Sequence, residues 1–171
     1  MQEMMKWLDR RFNYVPPAGE YAVIVERLRG TPARMADRIQ FVPRSVLTRR
    51  SREGWTVQEQ MGHLLDLEAL WAMRVGEFLS GAKELSAADM TNRKTNEANH
   101  NERSIQAIVA EFSVARRRLV EQLYGAGDPE AASFHPRLKR PMRLIDFCFF
   151  MAEHDDHHLR TIEELASMPP N

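Results

Sequence analysis

Cysteine is nearly missing from this chain: a single thiol, Cys148, in 171 residues. No disulfide can close within it, so a cysteine-stapled scaffold is excluded. Cys148 stands between Phe147 and Phe149, which predicts a buried, inert thiol and not a nucleophile. An excess of one charge sign is missing as well. Lys and Arg number 24, Asp and Glu also 24, and the formal net charge is zero. Nucleic-acid binders draw much of their affinity from phosphate neutralisation, so this balance argues against that class of partner. The basic run RLKRPMR (137–143) is short and has no aromatic interleaving for base stacking; it reads as a solvated loop before a helix. Long apolar runs are absent too. The longest, FCFFMA, is far too short to span a bilayer. The N-terminal stretch MQEMMKWLDRRFNY has no apolar h-region or cleavage site, so no signal peptide is expected. These features predict a soluble, cytoplasmic protein with no membrane partner.

β-branched alternation is scarce, whereas Leu, Met, Ala, Glu, Arg and Gln abound, which favours helix throughout. Four long helical segments can be read. The first covers about 19–40 and is interrupted near Gly30, with Thr31 as the next cap and Pro32 in the following first turn. The second, 56–78, opens on a capping box of Thr56 and Glu59. The third, 103–124, carries an apolar stripe at Ile105, Ile108, Val109, Phe112, Leu119 and Leu123. The fourth, 143–168, is stopped by Pro169 and Pro170. The segments 41–54, 83–102 and 125–141 read as connections. The expected architecture is all-α, one four-helix bundle domain over residues 1–171. Bundles of this kind build metal and cofactor sites in the core from side chains on facing helices.

The fourth segment holds AEHDDHHLR (152–160), three histidines and two aspartates on a helix that otherwise looks like core. Steps of three and four residues place Phe147, Phe150, Met151, His154, His158, Ile162 and Leu165 on one stripe. Asp155, Asp156, Glu163 and Glu164 fall largely outside it, and His157 borders it. Two imidazoles at i and i+4 can converge on one metal ion. A buried polar network of the two rings fits the spacing equally well. His63, about two turns past the cap of the second helix, shares a face with Leu67 and Leu70 and can look inward; a solitary capped or solvated histidine is the alternative there. His100 and His135 lie in connections and are expected at the surface.

Two familiar metal patterns do not apply. HDDHH resembles the HExxH helix of zinc proteases, but aspartate is one methylene short at the general-base position, and that motif does not sit in four-helix bundles. The ferritin-like Glu-x-x-His is absent from the second and fourth helices, because the residues three before His63, His157 and His158 are Gln60, His154 and Asp155.

The blocks WTVQEQMGHLLDLEALWAMR and RPMRLIDFCFFMAEHDDHHLRTIEEL resemble the DinB/YfiT-like family of metalloenzymes. The specific part is a Trp-Thr-x-x-Glu-x-x-x-His block paired with a late His-x-x-x-His. The resemblance implies a four-helix bundle with one divalent metal, commonly zinc or nickel, between the second and fourth helices. Its three ligands would be His63, His154 and His158. Asp155, Asp156 and His157 would then flank the ligands, solvated or supporting them. Relatives in this family include transferases that use small thiols such as bacillithiol or mycothiol. The implied function is metal-dependent transfer of a low-molecular-weight thiol to an electrophilic small molecule. A homodimer is implied as well. No protein base is required for such a step; Glu59, Glu68 and Asp155 are candidates that nothing in the sequence singles out. The other reading is a non-catalytic helical module in which the metal only stitches two helices together. An open site under a pocket favours the enzyme, a closed four-ligand site the module. The segment ADMTNRKTNEANHN (88–101) has the look of a subgroup feature and receives no role.

Overall fold

Strong helix formers with apolar residues every three to four positions turn most of the chain into rods. A computed structural model describes residues 7–11, 14–50 and 54–168. Its helices are α1 (Tyr21–Arg29), α2 (Thr31–Ile39), the single turn α3 (Arg44–Leu47), α4 (Val57–Leu79), α5 (Arg93–Glu97), α6 (Ile105–Tyr124) and α7 (Leu144–Ser167). A hairpin of β1 (Ala132–His135) and β2 (Arg140–Arg143) precedes α7. The α1–α2 rod, α4, α6 and α7 make the four-helix bundle. α4 lies against α6 and α7, and α1 against α6 and α7.

Local chemistry explains most of the boundaries. The Thr56 hydroxyl accepts from the Glu59 N–H at 3.1 Å while the Thr56 N–H donates to the Glu59 carboxylate at 2.9 Å, the reciprocal pair read from the sequence. Ser104 caps α6 by accepting from Ala107 N–H. At the α1–α2 break the expected cap is corrected. Gly30 takes the N-cap position in a right-handed conformation, and Thr31 is the first residue of α2. The Thr31 hydroxyl is used elsewhere, donating to Asp155 Oδ2 at 2.7 Å.

The core has two parts. One gathers Leu28, Trp71, Val75, Leu119, Leu144 and Phe147; the other gathers Met35, Met61, Leu64, Ile108, Phe112 and Ile162. Each fully buried side chain of this size contributes about 1.5–3 kcal/mol, so the bundle has a driving force independent of any ion. Cys148 is buried as expected, and burial pushes its thiol well above the ordinary range.

Two connections are more ordered than the sequence suggests. The run 137–143, expected as a solvated loop, supplies the turn and second strand of the hairpin, with Ser133 opposite Met142 and His135 opposite Arg140. Lys139 takes the left-handed conformation that closes the turn, φ 52°. The hairpin is tied to the connection that follows α4 by Phe134 N–H to Lys83 O and Leu85 N–H to Phe134 O, both 2.9 Å. In the 80–104 connection, Asn92 and Asn99 adopt φ values of 52° and 50°, which asparagine tolerates better than most residues. They turn the chain back across α4. No helix among the described residues is long and apolar enough to cross a membrane.

Candidate metal centre

His154 and His158 point from one face of α7 toward α4, where His63 faces them. The ring centroids lie 4.4 Å apart for His154–His158, 4.8 Å for His63–His158 and 5.5 Å for His63–His154. One nitrogen from each of the three falls within 4.8 Å of the others. The Nε2 atoms of His154 and His158 are 3.2 Å apart. Two imidazole ligands at about 2.0–2.1 Å from a tetrahedral ion stand about 3.3 Å from each other, so this spacing suits a shared metal.

The outer nitrogens are held as ligating imidazoles usually are. With its proton on Nδ1, His158 donates to Gln60 Oε1 at 2.6 Å, and its Nε2 lone pair is left bare. His63 Nδ1 lies 3.1 Å from Thr95 Oγ1. Trp55, the first residue of the Trp-Thr-x-x-Glu block, packs on the His63 ring at 4.6 Å and donates its indole N–H to Asn96 Oδ1 at 2.9 Å. His154 departs from the pattern: its Nδ1 is buried with no partner among the described residues, and the ring is gripped edge-on by Trp7 and Trp71.

Burial disfavours the imidazolium form at all three positions. It pushes His63 down to about 4 against the weaker pull of Asp66. His154 and His158 are driven well below 6.5, first by burial and then by neighbouring rings. The cluster is therefore neutral at physiological pH, the state in which imidazole binds metal.

The three histidines form the floor of a cleft of ≈ 420 Å³. Trp7, Trp71 and Phe150 wall it, and residues 87–90 with the hairpin turn 136–138 form its rim.

The DinB superfamily model matches residues 27–162, most of the chain and all three histidines. The chain belongs to the DinB superfamily. Two solved structures share its fold. YfiT from Bacillus subtilis, a probable metal-dependent hydrolase with an unusual four-helix bundle topology, superposes with a TM-score of 0.79 at 19% identity over 91% of each chain. The mycothiol-dependent maleylpyruvate isomerase gives a TM-score of 0.66 at 11% identity, over 85% of this chain and 60% of that one. At these identities the likeness is one of fold. No curated protein sequence matches the chain.

Within this DinB-superfamily bundle, several polar residues take places the sequence did not suggest. His100, expected at the surface, is 1% exposed and lies 2.8 Å from the Asp66 carboxylate. Its ring fills the space beside Gly62, where a Cβ would come within 2.3 Å of it. His135, also expected at the surface, is buried on β1 because the hairpin folds against α4. Asp155, expected outside the core stripe, is fully buried and bonded to Arg116 and Thr31. Arg116 also donates to Glu68 Oε1 at 2.6 Å and Leu28 O at 3.2 Å. Burial opposes the Arg116 charge, but Asp155 and Glu68 outweigh it and hold the guanidinium protonated. Asp156 pairs with Arg27 and Arg34 across α1 and α2, so it braces the bundle from outside. His157 is half-buried against Trp7 and stands outside the three-histidine group.

Proposed function

We propose that this chain is a metal-dependent enzyme of the DinB superfamily that activates a low-molecular-weight thiol for transfer to an electrophilic small molecule. His63, His154 and His158 would hold one divalent ion, zinc or nickel. The observation that carries the reading is a set of three neutral histidines lining an open cleft, with no fourth side-chain ligand among the described residues. Three protein ligands with an accessible remaining position is the arrangement of catalytic zinc sites, whereas structural sites are closed. A metal that merely stitched α4 to α7 would have no use for the cleft.

When bound, the ion would supply Lewis acidity that lowers the pKa of a coordinated thiol into the neutral range. The chain's own residues orient and shield. Gln60 and Thr95 engage the Nδ1 atoms of His158 and His63, so that each ring turns its Nε2 toward the ion. Trp7, Trp71 and Phe150 keep the walls of the cleft apolar, which strengthens charge interactions at its floor. The acids near the site are already committed: Glu68 and Asp155 to Arg116, Asp66 to His100, and Asp89 at the rim to Thr91 and the Arg93 N–H. A reaction that draws its nucleophile from outside and needs no protein base matches this better than one that needs a free carboxylate.

The test is to incubate metal-loaded protein with bacillithiol, mycothiol or glutathione and a chlorodinitroarene, and to follow the conjugate. At least one thiol should react faster than with the His154→Ala variant. Equal rates for all three would remove the reading.

A further inference from the structure

The cleft has a second end with its own chemistry. Arg74 follows His63 by eleven residues on α4, three turns along and on the same face, with Leu67 and Trp71 between them. The helical rise separates the two backbone positions by about 16 Å. Helical side chains lean toward the N-terminus, so the Arg74 side chain leans back toward the histidines.

Arg74 is 2% exposed, yet it lines the cleft. Its Nε and Nη2 both donate to one acceptor, Ser86 O, at 2.9 and 2.6 Å. Nη1 has no partner among the described residues, and no carboxylate there pairs with the guanidinium. Glu77, the acid whose charge acts on it, is spent on Ser86, accepting from its N–H at 2.8 Å and from its hydroxyl. The guanidinium lies within 5.8 Å of the rings of both Trp71 and Phe147. A cation so enclosed by apolar groups is left short of a counter-ion.

His135 stands beside it on β1, 4% exposed and also lining the cleft. Its Nδ1 accepts from Leu138 N–H at 3.3 Å, which makes Nε2–H the ring's donor. Burial, with the Arg74 charge behind it, keeps the ring neutral and pushes its pKa down to about 4.

We propose that Arg74 and His135 form a carboxylate-binding subsite at the end of the cleft remote from the three histidines, so that the molecule bound there is an elongated acid. The buried Arg74 charge and two open N–H donors, one on Arg74 and one on His135, match the charge and two oxygens of a carboxylate, with Arg137 adding a second cation at the rim. The subsite deepens the thiol reading, on which the identity of the acid as thiol or electrophile rests. The acid group would sit on the order of 10 Å from the metal centre.

The test uses cobalt-loaded protein and a homologous series of thiol acids, mercaptopropionate, mercaptohexanoate and mercaptooctanoate, each beside its methyl ester. Binding at the centre is read from the thiolate-to-cobalt absorption band. The longest acid should bind about tenfold more tightly than its ester, the shortest should show no preference, and Arg74→Gln should abolish the difference. Arg74→Lys, which keeps the charge, should retain part of it. Octanoate, which has no thiol, is titrated calorimetrically into the metal-free protein and should bind wild type but not Arg74→Gln. If octanoate discriminates while no thiol gives the band, the subsite stands and the thiol reading falls. If acid and ester bind wild type equally and octanoate binding ignores Arg74, the subsite is overturned whatever the thiols do.

Discussion

Asp155 gives its carboxylate to Arg116 and Thr31, while the ring of His154 one residue before it turns into the cleft. A step of about 100° around α7 separates two kinds of polar chemistry. One side carries the three-histidine group; the other carries a buried ion network of Arg116, Glu68 and Asp155 that ties α6 to α4 and α7. Removing one member of such a network leaves an unpaired buried charge. Arg116→Met should therefore cost about 3–5 kcal/mol of stability, a melting-temperature drop on the order of 10 °C. Calorimetry on wild type and variant would measure it; an unchanged melting temperature would show that the network adds nothing.

The close approach of His100 to Gly62 gives a second prediction. Gly62→Ala must push the His100 ring away, since the new Cβ would fall 2.3 Å from it. That movement breaks the contact with Asp66 and displaces the segment that brings Thr95 to His63. Loss of such outer-shell support typically weakens metal binding 10–100-fold. Competition with a chromophoric chelator should report a loss of at least tenfold. Unchanged affinity would mean that the 88–101 segment does not support the centre.

Acid should destabilise the metal-free protein. His63 and His135 titrate near 4 in the folded chain against 6.5 in the unfolded one, and His154 and His158 shift the same way. Between those values the unfolded chain binds more protons. Stability from these groups is thus full above pH 6.5 and drains as pH falls toward 4. Urea unfolding of chelated protein at several pH values should show this slope, and His135→Gln should flatten it. A rise in stability on acidification from pH 7 to 5 would contradict it.

The bundle was legible because its signals are local. A capping box and apolar stripes mark the rods, and i, i+4 spacing sets His154 and His158 on the core face; Pro169 and Pro170, read as the stop of the last helix, lie outside the described residues. What was missed depends on contacts distant in sequence. His100 and His135 sit in connections, where surface exposure is the ordinary expectation, but left-handed asparagines and a hairpin fold both connections onto α4. Thr95 and Gln60 carry no sequence signal of their own, because each matters only through a ring on another segment. Asp155 reads as solvent-facing until Arg116, 39 residues earlier, is brought opposite it.

Metal removal should weaken the fold without abolishing it. The core clusters are large enough to hold the bundle, unlike a zinc finger. An ion present at a thousandfold above its Kd adds about 4 kcal/mol. Chelated protein should keep its helical circular dichroism and melt on the order of 10 °C lower. A random-coil spectrum after chelation would mark the ion as structural.

The most direct measurement is metal content per chain, by mass spectrometry of elements, for protein purified without a nickel column. Wild type should carry one divalent ion per chain, zinc or nickel. His63→Ala, His154→Ala and His158→Ala should each lose it, and His157→Ala and His135→Ala should keep it. Full occupancy in any of the first three would exclude that residue from the centre, and a wild-type chain that takes up no zinc or nickel even when either is supplied in excess would contradict the metal centre itself.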